Sequence, residues 1–252
     1  MIRPLLRNFI RLCLIAVSAN AQQIVDEVDP FIGTSYGAHN FPGAIVPWGM
    51  VSLSPHTDLN DPSGYYWNEV NSVDGFGHVH LSGVGCHDLA NIVLMPTRDS
   101  IITDHKEFRS ILRDETASPG FYSGRLERYG INVELTATER AGFSRYVFAH
   151  PSNAANILID VTQGVTPSLG AYVEVVSDSE VQGFNTSGRF CKSPTHQKIH
   201  FVARFSQSFT SFKTWSNSAL TNDSTAEGKS IGAALRFSVR KYDTILVKVG
   251  IS

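Results

Sequence analysis

Apolar and polar residues alternate along most of the chain, in short segments separated by turn-forming residues. Alternation with a period of two is typical of strands that have one buried and one solvated face. Turn signals such as SPG at 118–120 and NDS at 222–224 lie between the segments. The pattern predicts strands at residues 46–53, 75–81, 91–95, 120–127, 131–138, 142–148, 156–161, 172–176, 181–184, 198–205, 209–214, 232–239 and 244–251.

Helical periodicity is nearly absent, and only residues 107–112 have a pattern that predicts one helical turn. The 20 Gly and 11 Pro interrupt the chain too often for a helical bundle. We therefore predict an all-β fold, a large antiparallel two-sheet β-sandwich, because so many strands exceed one small sheet. No repeat or linker divides the sequence, so residues 22–252 are expected to form one domain.

The first residues have the composition of a secretory signal. Residues 1–21 contain three Arg, an apolar run at 12–19 and a closing ANA, which has the small-x-small form of a cleavage site. We expect cleavage after Ala21 and export, to the periplasm or the medium. An apolar run of eight residues is too short to span a bilayer. The nearly balanced charge, with a net of -2, gives no reason to expect a nucleic-acid partner.

Cysteines are few for an exported protein. Once Cys13 is removed with the signal, only Cys86 and Cys191 remain. Two cysteines cannot form the disulfide framework of a small secreted scaffold, so the domain must depend on its core. Sequence leaves two alternatives open, a single bond between Cys86 and Cys191 or two free thiols.

Histidine, aromatic and acidic residues are concentrated between residues 39 and 88, which is the composition of a pocket. On a strand, His78 and His80 point to the same face, with Cα atoms roughly 6.6 Å apart. Such a pair could bind zinc with His87 or Asp88 as a third ligand. The alternative, which we favour, is that these histidines hydrogen-bond to carbonyl groups of the loops around the glycine-rich turn at 82–85.

Several long motifs follow one another in the order of a known family. They are VDPFIGT (28–34), NFPGA (40–44), VPWGMV (46–51), LSP (53–55), GFGHVHLSGVGC (75–86), ETASPGFY (115–122) and TERAGFSRY (138–146). With these motifs the sequence resembles the N-terminal domain of glycoside hydrolase family 92, the secreted, calcium-dependent, exo-acting α-mannosidases. The resemblance covers the whole mature chain.

The resemblance implies a β-sandwich of the supersandwich, galactose-mutarotase-like type, followed by a larger (α/α)6 toroid. In the family the toroid supplies the general-acid Glu, the base Asp and most calcium ligands, and inverting hydrolysis needs two carboxylates on either side of the scissile bond. The chain ends where the toroid would begin. We therefore expect a truncated protein with no catalytic residue and no cofactor of its own, with the toroid as partner domain and an α-mannoside glycan as substrate.

In such enzymes the early loops form one wall of the substrate pocket. The resemblance places residues 31–41 and 75–88 in that wall. Stacking on sugar is expected from Tyr66 or Trp67, with His80, Cys86 and Asp88 facing inward. Four other aromatic residues are expected to pack in the core, because large aromatics are mostly buried: Phe31, Phe41, Trp48 and Phe76.

The segment at 56–64 departs from the family, because it is shorter than in many members and contains no Trp. This departure leaves open the glycosidic linkage and even whether the sugar is mannose. A second hypothesis is a free-standing, lectin-like module that binds glycans or another protein.

Overall fold

The computed structural model describes residues 25–68 and 71–252, so the expected signal peptide lies outside the described residues. The described chain is almost entirely β-structure in two large sheets, and every strand pairing is antiparallel. The predicted fold class, an all-β two-sheet sandwich, is confirmed. No helix in the described ranges is long and apolar enough to cross a membrane.

The first sheet has eight strands in the order β1-β2-β4-β5-β10-β17-β14-β15. Its central pair is β5 and β10, which lie more than fifty residues apart in sequence. The strands span Ala44–Ile45 (β1), Ser52–His56 (β2), Gly75–Val79 (β4), Asn91–Arg98 (β5), Ser152–Asp160 (β10), Ile231–Val239 (β17), Ser211–Ser216 (β14) and Ala219–Thr221 (β15).

The second sheet has ten strands in the order β16-β11-β12-β13-β18-β9-β8-β7-β6-β3. The strands span Thr225–Gly228 (β16), Gly170–Val175 (β11), Glu180–Gly188 (β12), His196–Phe205 (β13), Thr244–Ile251 (β18), Ala141–Phe148 (β9), Ile131–Ala137 (β8), Phe121–Leu126 (β7), Ser110–Ser118 (β6) and Ser72–Val73 (β3). One helical turn, α1 (His105–Phe108), precedes β6, and a 3-10 turn at Phe190–Lys192 follows β12.

The core lies between the two sheets. In β8 the side chains alternate strictly, so that Ile131, Val133 and Leu135 are buried while their neighbours face outward. Strands of the first sheet such as β5 are buried along nearly their whole length. Side chains of both sheets form one continuous hydrophobic cluster. Burial of this apolar surface is the main force that holds the sheets together.

Most predicted strands are present with small changes at their ends, and the differences have local causes. The predicted turn at 107–112 is wrong, because the helix ends at Phe108 and Ser110–Ser118 is a strand. A β-bulge between Arg113 and Thr116, with Asp114 at φ 55°, breaks the alternation in this strand. The predicted strand at 46–53 is a turn over most of its length, since Val46 and Gly49 are joined by a backbone hydrogen bond.

Core packing was expected for four aromatic residues and is found for only some of them. Phe76 is completely buried, and Phe31 and Phe41 are partly buried. For Trp48 the expectation is wrong, because its side chain is fully exposed. Trp48 lies in the turn after Val46 at φ 63°, and this backbone conformation turns its side chain away from both sheets.

Candidate functional site

Three loops from the first part of the chain meet at one place. We call residues 31–41, 58–67 and 82–88 the loop cluster. The Gly83 amide donates to the His39 carbonyl oxygen at 2.8 Å, and the Ser82 hydroxyl donates to Asn40 Oδ1 at 2.8 Å. His87 Nε2 donates to the Asn60 carbonyl oxygen at 2.7 Å. The two segments expected to form a pocket wall are therefore in direct contact.

A hydrogen bond between two side chains fixes the middle loop of the cluster. His39 Nδ1 lies 2.9 Å from Asp61 Oδ2, and Asp61 is buried. The second carboxylate oxygen of Asp61 accepts hydrogen bonds from the amide and the hydroxyl of Ser63. Both oxygens of the buried Asp61 carboxylate therefore have partners, as buried charged groups require.

Tyr66 and Trp67 are held by their backbone and not by their side chains. The Thr57 hydroxyl donates to the Tyr66 carbonyl oxygen and accepts from the Tyr66 amide. The Trp67 amide donates to the Thr34 carbonyl oxygen at 2.8 Å. The Tyr66 side chain is half-buried, and that of Trp67 is 47% exposed. A rigid backbone therefore presents an open indole ring at the surface of the loop cluster.

His80 lies beneath this surface and has partners on both ring nitrogens. Its Nδ1 donates to the Ser52 carbonyl oxygen at 2.6 Å, and its Nε2 lies 2.8 Å from Nε2 of His56. The Phe41 ring covers it, with centroids 5.1 Å apart. Burial lowers the pKa of His80 to about 4, although the bond to Ser52 acts in the opposite direction. The ring is neutral at physiological pH and supports the loops from inside.

The other two predicted site residues connect the cluster to the second sheet. Cys86 forms a disulfide with Cys191, so of the two alternatives left open by sequence the bond is the one found. Asp88 is buried, and its Oδ1 accepts hydrogen bonds from Gln197 Nε2 at 2.7 Å and from the Leu89 amide. The disulfide joins residues 82–88 to the 3-10 turn after β12, and the Asp88 bond joins them to β13.

The zinc alternative finds no support in these contacts. His78 Nδ1 donates to the Ile92 carbonyl oxygen at 2.7 Å, and burial lowers the pKa of His78 to about 4. His80 also donates to a carbonyl oxygen, and His87 donates to that of Asn60. Only the His87 acceptor lies in a loop, as the hydrogen-bonding alternative expects, because Ile92 and Ser52 lie in β5 and β2. Within residues 25–68 and 71–252, no three His, Cys, Asp or Glu side chains lie close enough to hold a metal.

A cavity of about 380 Å³ adjoins the loop cluster. Asn40, Phe41 and Ser82 line it on one side, and Ile45 and Pro47 on the other. It combines hydrogen-bonding groups with an apolar surface, as small-molecule sites do. Such a cavity can bind a sugar, whose hydroxyl groups need polar partners such as Asn40 and Ser82 and whose ring face packs on an aromatic side chain such as Phe41.

Sequence reasoning placed residues 31–41 in the wall but assigned no specific role to two residues of that loop. Asn40 joins two loops through Ser82, and its only signal was its position in the NFPGA motif. Tyr36 is 97% exposed at φ 58°, and nothing in the sequence distinguished it from a buried tyrosine.

The fold and the loop cluster define a large β-sandwich domain with a polar and aromatic surface at one place. The model of the glycosyl hydrolase family 92 N-terminal domain matches residues 27–252, and the chain belongs to this family. The resemblance inferred from the motifs is thereby confirmed. A protein of Arthroderma benhamiae described as an uncharacterized secreted glycosidase is 34% identical over 149 residues, which are 54% of this chain and 19% of that protein.

Solved structures agree with this assignment. A family GH92 alpha-mannosidase from Bacteroides thetaiotaomicron is 27% identical, with a TM-score of 0.83 over 90% of this chain and 33% of the other. The same enzyme has been solved in complex with mannoimidazole. A family GH92 inverting mannosidase from that organism is 23% identical, with a TM-score of 0.76 over 90% of this chain and 31% of the other, and shows the fold alone. The chain thus spans about a third of these enzymes' length.

Proposed function

We propose that this chain is the N-terminal, carbohydrate-contacting domain of an exported exo-acting α-mannosidase. Its loop cluster would form one wall of the substrate pocket, and a C-terminal (α/α)6 toroid would form the other. Family membership and the mannosidase structures that share this fold support the proposal. The observation that carries it is the 47% exposed Trp67 ring, whose backbone amide is bonded to the Thr34 carbonyl oxygen within the loop cluster.

Among the predicted contact residues, Tyr66 and Trp67 would touch the sugar. The other three would not touch the sugar, because each is already bonded within the protein: His80, Cys86 and Asp88. Their role would be to keep residues 82–88 in place beneath the ligand. Because the segment at 56–64 contains no Trp, Trp67 would supply the aromatic surface from the other side of Gly64.

Catalysis is assigned to the partner domain. The general acid, the general base and the calcium ligands would be residues of the toroid, so the chain alone would bind α-mannosides weakly and hydrolyse none. Export through the signal at residues 1–21 agrees with the secreted relative and with the disulfide, which forms in oxidising compartments.

The proposed wall is tested by saturation-transfer NMR of the purified chain with methyl α-D-mannopyranoside. We expect a weak signal that Trp67→Ala removes and that Trp48→Ala leaves unchanged. Trp48 is the matched control, because it is also exposed but lies outside the loop cluster. The wall proposal is wrong if Trp67→Ala retains the full signal.

The absence of turnover is tested with an α-linked mannobiose in the presence of calcium. Release of free mannose, abolished by a chelator, would show that the chain carries catalytic groups itself. Micromolar affinity for mannose in calorimetry would favour the lectin-like module over the enzyme wall.

A further inference from the structure

Three aromatic rings form a row on the outer face of the second sheet. Tyr172 on β11, Phe184 on β12 and His200 on β13 are direct cross-strand partners. The ring centroids of Tyr172 and Phe184 lie 6.1 Å apart, and those of Phe184 and His200 lie 5.6 Å apart. Their neighbours in β11 and β12 are buried, so the alternation places the rings outside the core. Outward positions of such strands are usually polar, so this aromatic row requires an explanation.

Two cavities adjoin at the aromatic row. One, of about 650 Å³, has all three rings in its lining, and its volume is within the range of small-molecule sites. The other, of about 270 Å³, lies on the side of β16 and shares Phe184 with the first. Together they form a groove that crosses the sheet from β16 to β18. Among the described residues, those that line this groove all lie outside the loop cluster.

A glycine leaves space in each of the two cavities. Gly250, in β18, lines the larger cavity, and Gly170, at the start of β11, lines the smaller one. A Cβ atom on Gly170 would meet nothing within 4 Å, and one on Gly250 would meet only a carbonyl oxygen at 4.0 Å. Neither glycine has a positive φ, and the pairing of both strands is regular, so the backbone does not require glycine there. Such a glycine in a strand is typical of a place where a ligand approaches the backbone closely.

Accessible polar groups in the groove can both donate and accept hydrogen bonds. Gln182 Nε2 donates to Glu174 Oε2 at 2.9 Å, which leaves the Gln182 amide oxygen and second N–H group for a ligand. The Thr186 hydroxyl in the smaller cavity and the Arg140 guanidinium in the larger one have no partner in the described chain. The side chains of Gln182 and Thr186 are half-buried and that of Arg140 is exposed, so a ligand can reach all three.

The chemistry of the groove specifies a class of ligand. Sugars have apolar ring faces, which pack on aromatic side chains, and hydroxyl groups, which donate and accept. The Lys198 ammonium lies 4.2 Å from the centre of the Phe184 ring and covers one face of it, so Tyr172 offers the stacking surface. Charged side chains that line the groove or contact its residues are of both signs and favour no strongly charged ligand: Arg140, Lys198 and Lys229 against Glu174 and Glu227.

We propose that this groove binds a neutral oligosaccharide, with Tyr172 as the stacking residue and Gln182 and Thr186 as hydrogen-bonding residues. The groove crosses five strands, which are spaced about 4.8 Å apart, and this length suits several sugar units. The choice of α-mannan as the ligand rests on the proposed function. The groove would hold a glycan chain on the sandwich, whereas the loop cluster would contact a terminal sugar.

The test is affinity electrophoresis of the purified chain in gels that contain α-mannan polysaccharide. We expect α-mannan to retard the wild type and Tyr172→Ala to weaken the affinity about tenfold, because the sugar loses its stacking surface. Tyr242→Ala is the matched control, since Tyr242 is also accessible and has a lysine over its ring but does not line the groove. Trp67→Ala should leave the retardation in place, because it changes only the loop cluster.

If Tyr172→Ala does not fold, Gly250→Leu replaces it, because a leucine side chain would fill the open space of the larger cavity outside the core. The proposal is overturned if α-mannan does not retard the wild type, if Trp67→Ala abolishes the retardation, or if Tyr172→Ala and Gly250→Leu bind as the wild type does. Equal weakening by Tyr242→Ala and Tyr172→Ala would also overturn it. Retardation without a saturation-transfer signal from methyl α-D-mannopyranoside would support the groove and contradict the wall.

Discussion

One hydrogen bond joins the imidazole rings of His56 and His80, whose Nε2 atoms lie 2.8 Å apart in the buried layer beneath the loop cluster. Because His80 donates from Nδ1 to Ser52, its neutral ring must accept at Nε2, and His56 must donate. His56 Nδ1 is then left without a partner, as is observed. Protonation of His80 would place two N–H groups against each other and break this bond.

Acidification is therefore expected to destabilise the protein. Burial, and then the charges of the neighbouring histidines, lowers the pKa of His56 well below its usual value, and the pKa values of His78 and His80 are about 4. Between pH 6.5 and about 4 these three histidines bind more protons in the unfolded chain than in the native one, so their contribution to stability falls as the pH falls. Asp74, whose pKa is raised by burial to about 7, offsets one of the three. Each neutral buried histidine lowers the free energy of unfolding by about 1.4 kcal/mol for each pH unit of acidification in this range.

Urea unfolding at several pH values measures how steeply the free energy of unfolding falls as the pH falls. His78→Asn provides the comparison, because the Asn amide can still donate to Ile92 while its side chain does not titrate. We expect the slope to decrease by about 1.4 kcal/mol per pH unit. An unchanged slope would show that His78 is not neutral in the native state.

Substitution of Gly77 should disturb the histidine pair directly. A Cβ atom at this position would overlap Nε2 of His56 and press on the His80 ring. We expect Gly77→Ala to cost about 2 kcal/mol, typical of overpacking in a tight core. Gly85→Ala is the control, with an expected change below about 0.5 kcal/mol, because nothing lies near its Cβ position. Equal stability of the two variants in thermal unfolding would contradict the packing argument.

Glu115 unites three buried groups from different parts of the chain. The hydroxyls of Tyr65 and Tyr122 both donate to its Oε2, at 2.9 and 2.8 Å, and Asn71 donates to Oε1. Glu115→Ala leaves both tyrosine hydroxyl donors unpaired, while Asn71 keeps its bond to the Tyr65 oxygen, and we expect a loss of about 3 kcal/mol in denaturant unfolding. Glu127→Ala removes an exposed ion pair with Arg113 and should cost less than about 1 kcal/mol. A loss no larger than that would argue against the buried network.

The disulfide should contribute strongly to stability, because Cys86 and Cys191 are 105 residues apart in sequence. In the chain-entropy model a loop of this length corresponds to about 4 to 5 kcal/mol. We expect the double variant Cys86→Ser, Cys191→Ser to lose that amount in guanidinium unfolding. Wild-type protein measured with a reductant should match the double variant, whereas a variant as stable as the oxidised wild type would refute the expectation.

The strands that sequence predicted best are those whose alternation is regular, such as β8 and β18. In β6 the bulge at Asp114 reverses which face points inward, so that Leu112 and Glu115 both turn toward the interior. No periodic pattern survives such a reversal, and the strand was overlooked for that reason. The short strands β3, β15 and β16 were overlooked because two to four residues carry too little pattern.

For the candidate site, sequence predicted the region but not the role of each residue. It located the loops at 31–41 and 75–88, which the structure places in contact. It could not show that His80 has partners on both nitrogens, because those partners are supplied by Ser52 and His56 on another strand. It also could not show that Trp48 is exposed, since that depends on the backbone conformation of one turn.

Alternation and motif order along the chain were by themselves sufficient to determine the two-sheet β-sandwich and the family. Tertiary structure alone decided the bond between Cys86 and Cys191, the neutral pair of His56 and His80, and the aromatic row. The physical reason is one of distance. Alternation reflects which face of a strand is buried, and each strand contains that information itself. Hydrogen bonds, disulfides and ring contacts depend on which distant residues the folded sheets bring within a few ångströms.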